Sequence, residues 1–298
     1  MRQARWRTVT AGLLLLPGSG LVLAAPASEQ TRAAAAAATM VDDGETRTSG
    51  FILRHPPRQG LVTLARAPAG ATRVTLDGES LPMADDGLFL LAFDRDAPAT
   101  AMLRAERRSA PPVEAALTIG AGQWRIEHIN APYRGSAVGD ADFARRRPAE
   151  LDQITAARRQ MAQSDGWRQA FIWPVRGRLS GLFGSQRVYQ GRPGSYHSGL
   201  DIAAPTGTPF VAPAAGVVVL AARTPFTLEG NLLIIDHGMG LTSAFLHAAR
   251  LDVTTGQVVR QGQPLGTVGA TGRATGPHLH WGLRWRSARL DPLPLLPR

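Results

Sequence analysis

The apolar segments of this chain are short and repeatedly interrupted by turn-forming residues, a pattern that commits most of it to β structure. In residues 49–131 they recur as Phe51-Ile52-Leu53, Leu61-Val62-Thr63-Leu64, Val74-Thr75-Leu76, Leu88-Phe89-Leu90-Leu91 and Ala101-Met102-Leu103. Between them stand Asp77-Gly78, Asp85-Asp86-Gly87 and Pro111-Pro112. Gly supplies positive φ and Pro a preset φ, so such pairs mark turns. Short strands at regular spacing with this punctuation predict a small all-β, sandwich-like domain over 49–131. A second β region begins near Phe171-Ile172-Trp173-Pro174, with apolar runs at 209–222, 231–236, 241–246 and 264–269 and little room for helices.

The segments around these two regions read differently. Residues 1–27 have the form of a secretory signal: Arg2, Arg5 and Arg7, then an apolar stretch from Ala11 to Leu23, then small residues at Ala24, Ala25 and Ala27. That stretch falls short of the roughly 20 residues a spanning helix needs and contains Pro17-Gly18, so no stable membrane span is expected. The expected location is across the inner membrane, periplasmic or extracellular. Residues 28–48, rich in Ala, read as a flexible spacer, because a short isolated poly-Ala helix is marginal in water. Residues 132–170 form a linker with one helix. Pro148 before Ala149-Glu150-Leu151 suits a first turn, Leu151, Ile154 and Met161 keep helical spacing, and Asp165-Gly166 ends it.

The chain contains no Cys, so it needs neither disulfides nor a reducing compartment and cannot carry a lipid on an N-terminal Cys. All of its 33 basic side chains are Arg; without the three in the signal, 30 stand against 23 acids, a net of about +7. A basic surface attracts polyanions, nucleic acid among them. No nucleic-acid-binding signature accompanies the charge, and the secretory signal points to a partner outside the cytoplasm.

Two short motifs carry the chemistry. His197-Ser198-Gly199-Leu200-Asp201 and Pro277-His278-Leu279-His280 together offer three good zinc ligands and a spare histidine. A catalytic zinc takes three ligands from His, Asp or Glu and keeps a fourth position for water. His197, Asp201 and His280 supply those three. Residues two apart on a strand face the same way, so His278 shares the face of His280. His247 closes the apolar run Thr242-Ser243-Ala244-Phe245-Leu246 at its polar tip. Amide hydrolysis needs a proton acceptor, a donor to the leaving amine and oxyanion stabilisation; His247 and His278 are of the right type. His55 and His128 read as structural, and His237 as part of a turn at Asp236-His237-Gly238.

The segment from His197 to Trp281 resembles the catalytic domain of the lysostaphin- and LytM-type zinc endopeptidases, which cut peptide cross-links in bacterial walls. The stretches that carry the likeness are HSGLDIAAPTGTPFVAPAAGVVV (197–219), GNLLIIDHGMG (230–240), FLHAARL (245–251) and GQVVRQGQPLGTVGATGRATGPHLHWGLR (256–284). The resemblance implies a catalytic domain over 171–298 with an antiparallel, duplicated-hybrid-motif-like β fold and a groove across the metal. It implies Zn2+ on His197, Asp201 and His280, with His247 and His278 catalytic. The implied substrate is the peptide stems of peptidoglycan, and other cell-wall hydrolases are further expected partners. The alternative is a peptidase-like regulator that binds wall peptides and activates another hydrolase without cutting; a second rival is a hydrolase of ordinary or glycine-rich peptides. One departure stands out: the family often has Tyr and Leu where this chain has Phe245 and Ala248, which removes a hydroxyl near the site. Loops 184–196 and 223–231 are expected to wall the groove, and Gly272, Gly276 and Pro277 to shape the approach to His278.

Overall fold

The structure, a computed structural model, describes residues 45–133 and 141–298. The expected signal segment and most of the expected spacer lie outside the described residues. The last spacer residues, Thr46–Thr48, form the first strand rather than coil.

Eight strands follow: β1 (Thr46–Thr48), β2 (Phe51–Leu53), β3 (Val62–Arg66), β4 (Ala71–Leu76), β5 (Glu79–Leu81), β6 (Leu88–Ala92), β7 (Thr100–Arg107) and β8 (Val113–Thr118). They make two four-stranded antiparallel sheets, ordered β1-β2-β3-β6 and β5-β4-β7-β8. Period-2 patterning sorts the side chains. On β7, Ala101, Leu103 and Ala105 are buried, whereas Met102 faces solvent. Both sheets contribute to one core, where Phe51 and Phe89 meet edge to face at 6.3 Å.

After β9 (Ile126–Ile129) comes the one α-helix among the described residues, α1 (Ala141–Arg158). It starts seven residues before the expected first turn, so Pro148 lies in its interior. Tertiary anchors hold the two turns ahead of the proline: Arg146 donates to the Pro225 carbonyl, and Arg147 grips Glu229 through two hydrogen bonds of 2.6 and 2.8 Å. The expected apolar face also needs correcting. Leu151 and Met161 are exposed, and the buried stripe is Glu150, Ile154 and Ala157, at i, i+4 and i+7.

The remaining strands are β10 (Arg178–Gly181), β11 (Gln186–Tyr189), β12 (Arg192–Pro193), β13 (Leu200–Ala203), β14 (Pro209–Val211), β15 (Gly216–Ala221), β16 (Asn231–Asp236), β17 (Leu241–Ala248), β18 (Arg250–Leu251), β19 (Val258–Val259), β20 (Pro264–Thr267), β21 (His278–Trp285) and β22 (Ala288–Leu290). The principal sheet is ordered β10-β13-β21-β17-β16-β15-β19, with β22 added beside β21. Every pairing in it is antiparallel. The protein is thus mostly antiparallel β.

One face of this sheet carries the main core and the other carries the groove. β21 shows the division most clearly: Leu279, Trp281, Leu283 and Trp285 are buried, while His278, His280, Gly282 and Arg284 alternate with them on the opposite face. Trp281 lies between Phe171 and Phe245, stacked on each at 6.2 and 6.3 Å. β16 is apolar throughout because both of its faces are covered. Leu233 and Ile235 enter the main core, whereas Leu232 and Ile234 join a second cluster under Ile154 and Ala157 of α1.

The N-terminal sheets are tied to the groove side by polar contacts. Arg95, just after β6, donates to the Gly184 carbonyl (3.2 Å) and to Gln186 Oε1 (3.0 Å), and its guanidinium lies over the Tyr196 ring. β9 pairs in parallel with β11. Loop 184–196, which leads into His197, is therefore braced along its length.

Candidate metal centre

Register assembles the site. In the β13–β21 ladder Asp201 stands directly opposite His280, and in the β17–β21 ladder Leu246 stands opposite His280. Direct cross-strand partners have Cβ atoms about 4.5–5.5 Å apart, close enough to share a ligand. His197 enters from the end of loop 184–196. Its Nε2 lies 3.1 Å from Asp201 Oδ1 and 3.1 Å from His280 Nδ1, and His280 Nδ1 lies 2.8 Å from Asp201 Oδ1.

Two glycines make the convergence sterically possible. A Cβ at Gly181 would lie 2.4 Å from Asp201 Oδ2, and one at Gly199 would lie 2.6 Å from His280 Nε2. This gives the glycine of His197-Ser198-Gly199 a physical reason: the backbone passes against a ligand ring.

The donor set fits a metal ion. His197 Nδ1 donates to the Leu182 carbonyl at 3.1 Å, and because a carbonyl only accepts, Nε2 of that ring keeps its lone pair toward the cluster. Two imidazole nitrogens and a carboxylate oxygen thus face one another at 2.8–3.1 Å. Ligand atoms on a four-coordinate ion with bonds of about 2.0–2.1 Å stand about 3.3 Å apart. His197, Asp201 and His280 form the group of this kind among the described residues.

Electrostatics agree with this arrangement. Burial pushes the Asp201 carboxyl up, but the adjoining His197 and His280 rings outweigh it and hold the group well below the usual carboxylate range, hence ionised. Burial lowers His280, the deeper ring, toward the neutral form a metal ligand needs. Burial also lowers His197, but the bond to Asp201 prevails and raises it.

The two remaining histidines flank this group. His278 and His247 lie with ring centroids 4.9 Å apart, and His247 is 6.2 Å from the His280 ring. His278 Nδ1 donates to the Gly276 carbonyl and His247 Nδ1 to the Thr271 carbonyl, both at 2.8 Å. Each Nε2 is therefore the available base nitrogen. His278 Nε2 lies 3.7 Å from Asp201 Oδ1. His247 adopts φ +65°, a left-handed conformation costly for a non-glycine residue. The Thr271 contact and a 2.9 Å bond from its N–H to the Glu229 carbonyl hold it there. Burial lowers its pKa and keeps the imidazole neutral.

The structure thus brings together all five histidine and aspartate residues singled out in the sequence. His55 and His128 lie outside the group: His55 engages Thr63 through its backbone and His128 is exposed on β9. His237 is more than a turn residue. It is fully buried, donates from Nδ1 to the Ala215 carbonyl (2.8 Å) and accepts at Nε2 from Ser243 Oγ (2.7 Å). Ser243 Oγ in turn accepts from Trp281 Nε1 at 3.0 Å, so a closed chain of bonds fixes the indole next to His280. The Phe245 departure also has an explanation: its ring is buried against Phe210 and Trp281, on the face of β17 away from the groove. A hydroxyl there would enter the core and would not meet a ligand in the groove.

Comparison with known proteins gives the chain its family. The pattern of Peptidase family M23 matches residues 195–292, which include all five site residues. A crystal structure of a protein assigned to peptidase M23 from Pseudomonas aeruginosa is 30% identical, covering 81% of this chain and 95% of that one with a TM-score of 0.62. The chain belongs to peptidase family M23. Among curated M23-like relatives, the cell division protein DipM of Caulobacter vibrioides is 37% identical over 134 residues, 43% of this chain and 21% of its own length. The peptidoglycan DD-endopeptidase ShyA of Vibrio cholerae is 44% identical over 87 residues, 29% of this chain and 20% of its own length. The chain therefore spans about a fifth of the length of these two relatives.

Sequence reading of this M23 chain missed Arg284 and Glu229, which line the same groove, and Arg147, which holds Glu229. Arg284 was within reach: strand alternation from His278 places it on the histidine face. Arg147 and Glu229, whose pairing reaches the backbone of His247, gave no local signal, because they meet only when α1 docks.

Proposed function

We propose that this protein is a zinc-dependent endopeptidase that hydrolyses the peptide cross-links of bacterial peptidoglycan. The observation that carries the reading is the convergence of His197, Asp201 and His280 with two further histidines, each with Nδ1 bound to a backbone carbonyl and Nε2 left toward the same groove. The naming of ShyA as a peptidoglycan DD-endopeptidase supports the choice of substrate. A regulator without catalytic activity would be marked by loss of a ligand, and the set here is complete.

In this reading His197, Asp201 and His280 hold the ion, and the remaining chemistry falls to His247 and His278. Zinc, when bound, supplies Lewis acidity toward a carbonyl and an activated water at neutral pH. With Nδ1 of both rings committed to backbone carbonyls, protons enter and leave only at Nε2. One ring accepts the proton of the attacking water; the other, once protonated, donates to the oxyanion or to the leaving amine. Neither ring needs to rotate, because the Gly276 and Thr271 carbonyls hold them. Residues 1–27, read as a secretory signal, are the basis for export in this proposal, and the wall outside the inner membrane is the place of action. Among the described residues no helix is long and apolar enough to cross a membrane.

The test is digestion of purified sacculi by the metal-loaded protein with and without chelator, followed by mass spectrometry of the muropeptides. Cross-linked dimers should fall and monomers rise, with chelator abolishing the change and zinc restoring it. Asp201→Ala and His280→Ala should lose metal and activity together. His247→Ala should keep one zinc per chain while turnover drops about 100-fold or more. Full activity in the His247 variant, or no muropeptide change despite stoichiometric zinc, refutes the assignment.

A further inference from the structure

The groove that holds the metal centre continues along the same sheet face to α1 as a cleft of about 440 Å³. Its far part is cationic: Arg158 from α1, Arg284 from β21 and Arg289 from β22 all line it. Arg284 lies four residues beyond His280 on β21, about 13 Å along the strand. Its Nη2 donates to the Ser287 carbonyl at 2.9 Å, and Arg289 Nη1 reaches the Tyr196 hydroxyl at 3.4 Å.

The two nearby carboxylates, Glu229 and Asp94, are already hydrogen-bonded to other groups and make no ion pair with these guanidinium groups. Glu229 is held by both Nη atoms of Arg147. Asp94 accepts the backbone N–H of Arg289 at 2.9 Å and faces the Tyr196 hydroxyl at 3.3 Å. The Nε atoms of Arg158 and Arg284 are both buried, and neither finds a hydrogen-bond partner among the described residues. Burial, with repulsion from Arg284 next, pushes Arg158 down to about 10; burial and Arg289 lower Arg284 in the same way. Like charges gathered and partly desolvated without partners destabilise a fold. Their position beside the metal centre points to a ligand that supplies the missing charge. A planar guanidinium fork matches a carboxylate.

We infer that Arg158, Arg284 and Arg289 form a carboxylate-binding subsite, which takes an anionic group of the peptide within about four residues of the bond to be cut. The inference rests on the peptidase reading for the identity of its ligand. Extended peptide advances about 3.3–3.6 Å per residue, so a chain lying over the metal centre reaches Arg284 in that distance. The subsite would favour cross-links whose stems carry free carboxylates over amidated ones.

Binding tests this apart from turnover. The probe is a synthetic peptide of two short stems joined from D-alanine to the side-chain amine of a diamino acid. It is prepared as the free acid and with its carboxylates amidated one at a time. Affinities are measured calorimetrically on the zinc-loaded, full-chain His247→Ala variant, alone and combined with Arg158→Gln or Arg284→Gln. One amidation should weaken binding about 10- to 100-fold, the scale of a charge-assisted hydrogen bond. Arg284→Gln should cause the same loss for the free acid and little for that amide. Both Arg→Gln variants should keep or raise the Tm, since they relieve repulsion. Binding of every amide within twofold of the free acid overturns the inference. So does absence of binding, equal loss for acid and amide, or a Tm fall of several degrees with unchanged affinity. Carboxylate-dependent binding by a wild-type protein that cuts nothing would sink the peptidase reading and leave the subsite standing; cutting without carboxylate dependence would do the reverse.

Discussion

Replacing Ser243 by alanine should unsettle the core directly behind the metal centre. Ser243 Oγ is the shared member of a buried chain, accepting from Trp281 Nε1 at 3.0 Å and donating to His237 Nε2 at 2.7 Å. Ser243→Ala leaves one donor and one acceptor unpaired in a region where Ser243, His237 and Trp281 are all fully buried. Each buried orphan costs about 1–3 kcal/mol, so the pair should cost about 4 kcal/mol. For a chain of this size that corresponds to a fall in Tm of about 6–8 °C. Urea denaturation of zinc-loaded wild type and variant reads the difference, with an unchanged m value showing that it is a loss of native stability. The Ser243→Ala/His237→Phe double variant should lose less than the sum of the two singles, because the acceptor left by one is removed by the other. A Ser243→Ala cost below about 1 kcal/mol, or strict additivity in the double variant, refutes the hydrogen-bonded chain.

Acid should act on the same chain through His237. Burial lowers its pKa to about 4 from an ordinary 6.5, so the folded state favours the neutral ring. The corresponding stability is present above pH 6.5 and is lost as pH falls toward 4, amounting to about 3 kcal/mol. NMR of the His237 ring should show no titration between pH 7 and 5, and a midpoint near 6.5 would contradict this. Gly181→Ala, whose Cβ would lie 2.4 Å from Asp201 Oδ2, should weaken zinc binding about 10- to 100-fold in a competition assay while the circular dichroism of the fold persists. Arg147→Ala leaves the buried Glu229 carboxylate without its partner and should cost about 3–5 kcal/mol in unfolding experiments, with a loss of kcat because the Glu229 carbonyl holds the His247 N–H. Phe245→Tyr should destabilise the protein by about 1–3 kcal/mol in thermal unfolding without raising activity, since the added hydroxyl enters the core.

Much of the site was legible because it follows from a short-range rule. Strand alternation alone puts His278 and His280 on one face, and the same rule run four residues further reaches Arg284. What alternation cannot supply is register: that Asp201 faces His280 depends on β13 finding β21 across a sequence separation of 79. The apolar runs marked β2, β3, β4, β6 and β7, and β15, β16 and β17 of the principal sheet; β1 (TRT) and β5 (ESL) hold too few apolar residues to stand out, and Glu114 breaks β8 (VEAALT). The helix was placed late because Pro148 in isolation reads as a first turn. Its true start depends on Arg146 and Arg147 meeting Pro225 and Glu229, contacts that exist only after docking. His237 looked like turn chemistry because Gly238 does adopt φ +96°, and nothing local reveals that the ring before it points into the core.

The opposition of Asp201 and His280 also bears on when the molecule can become active. The order of events follows from chain connectivity: β13 is made long before β21, and their pairing closes one of the most distant loops in the sheet, a step that comes late when topology governs folding. On β21, metal-facing and core-facing residues alternate, so a one-residue slip would bury the histidines and expose Trp281. A partly folded or misregistered chain therefore lacks its ion-binding site altogether. In the proposed wall-hydrolase reading this gives the cell an intrinsic delay, because the cutting site exists only once the most sequence-distant pairing of the sheet has formed.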